Sequence, residues 1–80
     1  MKLAVYSLKK ILYQGEAASV NLKTASGEIT ILDHHRPLIS LLTESDVKIT
    51  DANNKEHHIE AHGGFLEMTK DNTLKLLIEV

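Results

Sequence analysis

The sequence predicts an all-β domain, a flattened sandwich of two mostly antiparallel sheets made from about eight to ten short strands. Three observations lead there. Apolar residues recur at every second position, the period of a pleated strand with one face buried. Clusters of Gly, Asn, Asp and Ser interrupt that alternation at roughly ten-residue intervals. Hydrophobic residues make up 42% of the chain, and a single sheet has too few buried faces to accommodate them. At 80 residues, the expectation is one domain spanning 1–80, with a thin core that leaves little room for an enclosed active site.

Taken in order, Leu3 and Val5 alternate with Lys2 and Ala4, the first strand. Gln14-Gly15 reads as a turn. Ala18, Val20 and Leu22 then alternate with Ser19, Asn21 and Lys23, and Ala25-Ser26-Gly27 closes a hairpin into Ile29 and Ile31, which alternate with Glu28 and Thr30. From Pro37 through Thr43, Leu38, Leu41 and Leu42 fit a helical turn, yet Pro37 also suits a strand edge, and the extended reading is preferred. Val47 and Ile49 form the next strand beside Asp46, Lys48 and Thr50. The stretch from Asp51 to Lys55 turns through Asn53-Asn54, residues that tolerate the left-handed backbone of tight hairpins. Gly63-Gly64, just before Phe65, marks a bend or a place where backbones approach closely. Lys70-Asp71-Asn72 turns into the last strand, Leu74, Leu76 and Ile78.

Nine Lys and Arg against eleven Asp and Glu, for a net charge of -2, are spread without a basic block, so nucleic acid is not an expected partner. No apolar run approaches the roughly 20 residues of a membrane-spanning helix, and the Met1 end lacks a signal-peptide pattern, which points to the cytoplasm. With no cysteine, thiol chemistry and thiolate metal sites are excluded.

Two histidine constellations invite chemistry. Asp33-His34-His35, directly after a strand, matches the local motif of manganese phosphoesterases of the Asp-His-His type. Two-metal hydrolysis needs several more oxygen ligands than 80 all-β residues supply, so a polar loop is the simpler reading. His57, His58 and His62 lie where alternation puts His58, Glu60 and His62 on one face, with successive α-carbons about 6.7 Å apart. A small histidine-based metal-binding module is therefore one alternative, set against a solvent-facing polar strand. No serine lies in a Gly-x-Ser-x-Gly context and no phosphate-cradling glycine loop is present. No cofactor is implied.

The combination of Gly15-Glu16, Ser19, Leu22, Thr24, Gly27-Glu28, Ile31-Leu32, His35, Pro37-Leu38 and Gly63-Gly64-Phe65-Leu66-Glu67 resembles the epsilon subunit of F-type ATP synthase. The resemblance covers practically the whole chain and corresponds to that subunit's N-terminal β-sandwich. The family commonly has Gly, Pro and Gly where Thr30, Asp33 and His34 stand here, which puts the turn before His35 in question. Its C-terminal pair of helices, an inhibitory switch, has no counterpart in these residues. The resemblance implies a non-catalytic central-stalk component at the cytoplasmic face of the membrane. Its partners would be the gamma subunit and the membrane ring of c subunits, coupling proton or sodium flow to ATP synthesis. By the same resemblance Glu28, His35 and Arg36 face the c-ring, while Ser7, Pro37, Leu38, Leu41 and Leu42 face gamma.

Overall fold

A computed structural model describes all 80 residues. Six strands follow one another with no helix: β1 (Lys2–Tyr6), β2 (Ile11–Thr24), β3 (Gly27–Leu32), β4 (Leu38–Asp51), β5 (Glu56–Met68) and β6 (Thr73–Ile78). The expected eight to ten short strands resolve into these six because β2, β4 and β5 are long and change neighbours part-way along. Residues 11–16 of β2 pair with β1, and residues 17–24 pair with β4 and β3. The first part of β4 pairs with residues 64–68 of β5, which also hold β6. Its second part pairs with residues 56–62 of β5.

Two layers result. The first contains the start of β2, then β1, β6, the end of β5 and the start of β4. The second contains β3, the end of β2, the end of β4 and the start of β5. All pairings are antiparallel except β1 with β6. Inward side chains of both layers meet in one core. Leu3, Val5, Leu66, Leu74 and Leu76 come from the first layer, and Val20, Leu22, Ile31, Val47 and Ile49 from the second. These side chains are essentially inaccessible to water, and at about 25 cal/mol per Å² such burial is the main source of stability.

The extended reading of 38–43 holds, and the turns at 25–26, 51–55 and 69–72 form where the sequence places them. Asp51 Oδ1 accepts the backbone N–H groups of Asn53 (2.8 Å) and Lys55 (3.0 Å), and Asn54 adopts φ 65°. This is the turn geometry that Asp and Asn side chains favour.

Two expectations fail. Gln14-Gly15 is not a turn: it runs extended inside β2, opposite Ala4 and Leu3. The chain reverses instead at Ser7–Lys10, where the Ser7 hydroxyl accepts the N–H groups of Lys9 and Lys10. The second concerns Ala18, which is exposed while Ala17 is buried. A register shift between Ala17 and Ser19 inserts an extra residue, and an insertion inverts the in-out alternation across it.

The Gly63-Gly64 expectation is met. A side chain on Gly64 would overlap the Leu77 carbonyl oxygen and lie 2.9 Å from the Ile78 α-carbon, and Gly63 has φ 113°. Here β5 crosses from one layer to the other while staying paired to β4.

Candidate functional site

Across the outer face of the first layer one row is apolar throughout, while the rows beside it carry Glu67, Lys75 and Gln14, then Thr73, Lys2 and Glu16. Leu41 pairs with Phe65, Phe65 with Leu77, Leu77 with Tyr6, and Tyr6 with Ile11. Paired residues share a face and stand about 5 Å apart, so these five form an unbroken row across the layer. Leu41 is 58%, Phe65 48% and Leu77 47% exposed, and Ile39 adds a further exposed side chain on β4. Two open hollows flank Tyr6. One, of about 400 Å³, lies over Ala4 and Gly15 between Lys2 and Lys75; the other, of about 320 Å³, lies between Phe65 and Lys75. Exposed contiguous apolar surface of this kind marks contact with another macromolecule.

Of the residues expected to face gamma, Leu41 lies in the row, and Pro37 is exposed just before β4 begins. Leu42 is not available: at 5% exposure it belongs to the core. Leu38 is half-buried and packs against that core. Successive strand residues point to opposite faces, so Leu41 and Leu42 cannot serve the same surface. Ser7 is occupied in holding its turn. The row's other members were missed, although a signal existed. Leu77 sits between Leu76 and Ile78, and Phe65 precedes Leu66, so at these two places an apolar residue falls in the outward phase of the alternation as well as the inward one.

Glu28, His35 and Arg36 lie along the free edge of the second layer, since β3 pairs only with β2. Glu28 follows the β2–β3 hairpin, opposite Lys23. His35 and Arg36 lie past the other end of β3, in the loop to β4. The strand's length separates them by roughly 17 Å, at about 3.4 Å per residue, so they form two points on one rim. The His35 backbone N–H donates to Leu32 O (3.1 Å). His35 Nδ1 lies 2.8 Å from the Arg36 carbonyl oxygen, which can only accept, so Nδ1 carries the proton.

His58, Glu60 and His62 do share an exposed face of β5, opposite Lys48, Asp46 and Glu44 of β4. Each histidine turns to carboxylates. His58 Nδ1 is 2.8 Å from Asp46 and its Nε2 3.5 Å from Glu56; His62 Nδ1 is 3.4 Å from Glu44 and its Nε2 3.9 Å from Glu60. No group of three such side chains converges on a point where a metal could sit. The hydrogen bond and charge of Asp46, with Glu56 behind it, raise the His58 pKa above 6.5. His57 is bound to Asp51 at 2.9 Å and meets the Tyr13 ring edge-on at 5.3 Å. The His57 hydrogen bond, with the Lys55 and Asn53 N–H groups, lowers the Asp51 pKa. Burial, and then the charges of Asp51 and Glu16, raise that of Tyr13.

Asp33 and His34 also have structural partners. Asp33 Oδ1 accepts from the Met1 amino group and from the Asn72 amide at 2.9 Å, and these bonds lower its pKa.

Comparison with known proteins identifies the family. Residues 1–79 match the sequence profile described as the ATP synthase, Delta/Epsilon chain, beta-sandwich domain. The chain belongs to that family. It is 36% identical over 80 residues to the ATP synthase epsilon chain of Clostridium kluyveri, covering 100% of this chain and 60% of that one. It is 38% identical over 72 residues to the ATP synthase epsilon chain 2 of Burkholderia orbicola, covering 89% and 47%. The chain thus spans about half to three fifths of the length of these relatives.

Among solved structures, a chain of the Euglena gracilis mitochondrial ATP synthase (OSCP/F1/c-ring, rotational state 1) superposes with a TM-score of 0.89 at 17% identity. The match covers 95% of this chain and 48% of that one. A chain of the Tetrahymena thermophila mitochondrial ATP synthase central stalk/c-ring gives 0.83 at 17% identity, covering 100% and 63%. The delta/epsilon sandwich fold is therefore shared well beyond detectable sequence likeness. Family membership favours the delta/epsilon-chain reading of this chain over a phosphoesterase fragment or a histidine-based metal-binding module.

Proposed function

We propose that this chain is a non-catalytic rotor component of a proton- or sodium-translocating F-type ATP synthase. In this role it joins the gamma subunit to the c-ring, so that ion flow is coupled to ATP synthesis, and it holds no active site of its own. The apolar row Ile11–Tyr6–Leu77–Phe65–Leu41 carries the proposal: in a delta/epsilon-family domain, it is the surface suited to bury against gamma. Leu41, Pro37 and the added Ile39 lie on the β4 side of it. Glu28, His35 and Arg36 on the β3 rim suit charge-assisted hydrogen bonds to polar loops of the ring at a solvated boundary. The related proteins carry epsilon-chain names, and the superposable chains come from central-stalk and c-ring assemblies, which supports the same placement. No helix is long and apolar enough to cross a membrane, and membrane association in this reading runs through the complex.

A spacer that transmits torque must resist shear. One continuous core shared by both layers, with three strands running through from layer to layer, meets that need because packed interiors are poorly compressible.

The test is co-expression with the gamma subunit of the same organism. Phe65→Asp places a charge within the row, between Leu77 and Leu41, and should abolish gamma capture while leaving the circular dichroism spectrum intact; Glu60→Ala, on the other layer, should not affect capture. In the assembled complex, Glu28→Lys and His35→Ala should lower ion-driven ATP synthesis with gamma still bound. Undiminished capture by a folded Phe65→Asp chain would refute the gamma assignment.

A further inference from the structure

Leu32 to His35 is a four-residue turn closed by the His35 N–H to Leu32 O bond of 3.1 Å. Its third residue, His34, has φ 60°, whereas Asp33 is not among the residues of positive φ. That pattern is a type II turn, for which Pro at the second position and Gly at the third are the favoured residues. Asp-His has neither advantage: Asp33 leaves φ free, and a left-handed non-glycine residue costs about 1–2 kcal/mol. Something outside the turn must hold it.

Two groups do so: the Met1 amino group, which donates to Asp33 Oδ1, and Asn72, which reaches both central residues. Its Oδ1 accepts the His34 N–H at 2.7 Å, and its Nδ2 donates to Asp33 Oδ1 at 2.9 Å. Its own carbonyl accepts the Lys2 N–H at 3.0 Å. One residue of the β5–β6 turn thus grips both central residues of the turn after β3 and the first residue of β1, tying the two layers together at this end. Asn72 is itself left-handed, with φ 62°, a conformation Asn accepts more readily than most residues.

We infer that Asn72 is the positioning residue for the loop carrying His35 and Arg36, replacing from across the sandwich the stiffness that Pro-Gly would supply locally. It acts through Asp33 and His34 and touches neither His35 nor any partner. The functional half of this inference rests on the ring-facing reading of His35 given above.

Amide hydrogen exchange on the whole chain tests it, read at His35. The His35 N–H is bonded within the turn and not to Asn72, so its exchange reports the turn and not a lost acceptor. Asn72→Gly removes the side chain yet tolerates φ 62°. It should speed His35 exchange at least about fivefold, what losing one of its two side-chain hydrogen bonds, at about 1 kcal/mol, would give, with Val20 and Leu66 in the core unchanged. In a chain already carrying Asp33→Pro and His34→Gly, the same substitution should change His35 exchange less than about twofold, because the turn then holds itself. Unchanged exchange in Asn72→Gly, or equal acceleration in both backgrounds, would overturn the inference. Should Asn72→Gly also loosen the core, Asn72→Asp decides. It keeps an Oδ acceptor for the His34 N–H and leaves the Met1 bond to Asp33 in place, but sets a carboxylate against Asp33 where the amide donated. It should speed His35 exchange while sparing the core; no change would overturn the inference equally. In the assembled complex, Asn72→Gly should lower ion-driven synthesis as His35→Ala does. A loosened turn with full coupling would refute the ring-facing reading of His35 and leave the positioning role of Asn72 standing.

Discussion

Gly64 lies against the Leu77 backbone so closely that no side chain fits between them: an added β-carbon would overlap the Leu77 carbonyl oxygen and press on Ile78. Neither neighbour is a flexible side chain that can turn aside. At this contact β5 passes from the second layer to the first and takes up β6 as a new partner.

Substitution of Gly64 by Ala should therefore be costly. Overpacking of about 1–3 kcal/mol adds to about 1–2 kcal/mol for a left-handed non-glycine residue. Gly63→Ala meets no crowding, only an ordinary 3.7 Å contact, and should incur the conformational part alone. Urea midpoints of the two variants are the measurement, and equal losses would contradict the close approach.

Leu41 and Leu42 are neighbours with opposite fates. Leu42→Ala empties a core position and should cost about 2–5 kcal/mol. Leu41→Ala removes an exposed side chain and should change stability by no more than about 0.5 kcal/mol. Denaturant titration separates the two directly; a large loss at Leu41 would mean that the outer row supports the isolated fold.

His58 should titrate above 6.5 because Asp46, then Glu56, favours its charged form. Lys48 and Glu60 share its face. A raised folded pKa favours the protonated folded state. Its stabilising effect is therefore full below the unfolded pKa of about 6.5 and fades as pH rises through the folded pKa. Proton NMR of the His58 ring should show this elevated midpoint, and Asp46→Asn should bring it back down. A midpoint indifferent to Asp46→Asn would dissolve the pairing.

Asp51 works with the opposite sign. Its lowered carboxyl pKa stabilises the fold above the unfolded value of about 3.8 and ceases to do so as pH falls through the folded value. Asp51→Ala should lower the thermal midpoint at neutral pH, and the gap from the native chain should narrow on acidification below the ordinary carboxyl value of about 3.8. A gap that stays constant across that range would assign the effect to lost turn geometry alone.

Much of this molecule follows from local steric rules. A pleated strand sends neighbouring side chains to opposite faces, so the all-β class and most of the core, from Leu3 and Val5 to Leu74, Leu76 and Ile78, are legible in the order of residues. Turns at Asn53-Asn54 and Asp71-Asn72 follow from left-handed tolerance, and Gly63-Gly64 announces a close approach. The distribution of one core among six strands rather than eight to ten depended on pairing. So did the inversion at Ala17 and Ala18, where an inserted residue shifts the phase against a partner strand. The apolar row joins Tyr6 to Leu77 and Leu41 to Phe65, and the Asn72 tie joins two distant turns. Such neighbours exist only once strands remote along the chain lie side by side, because alternation carries no information about which strand pairs with which.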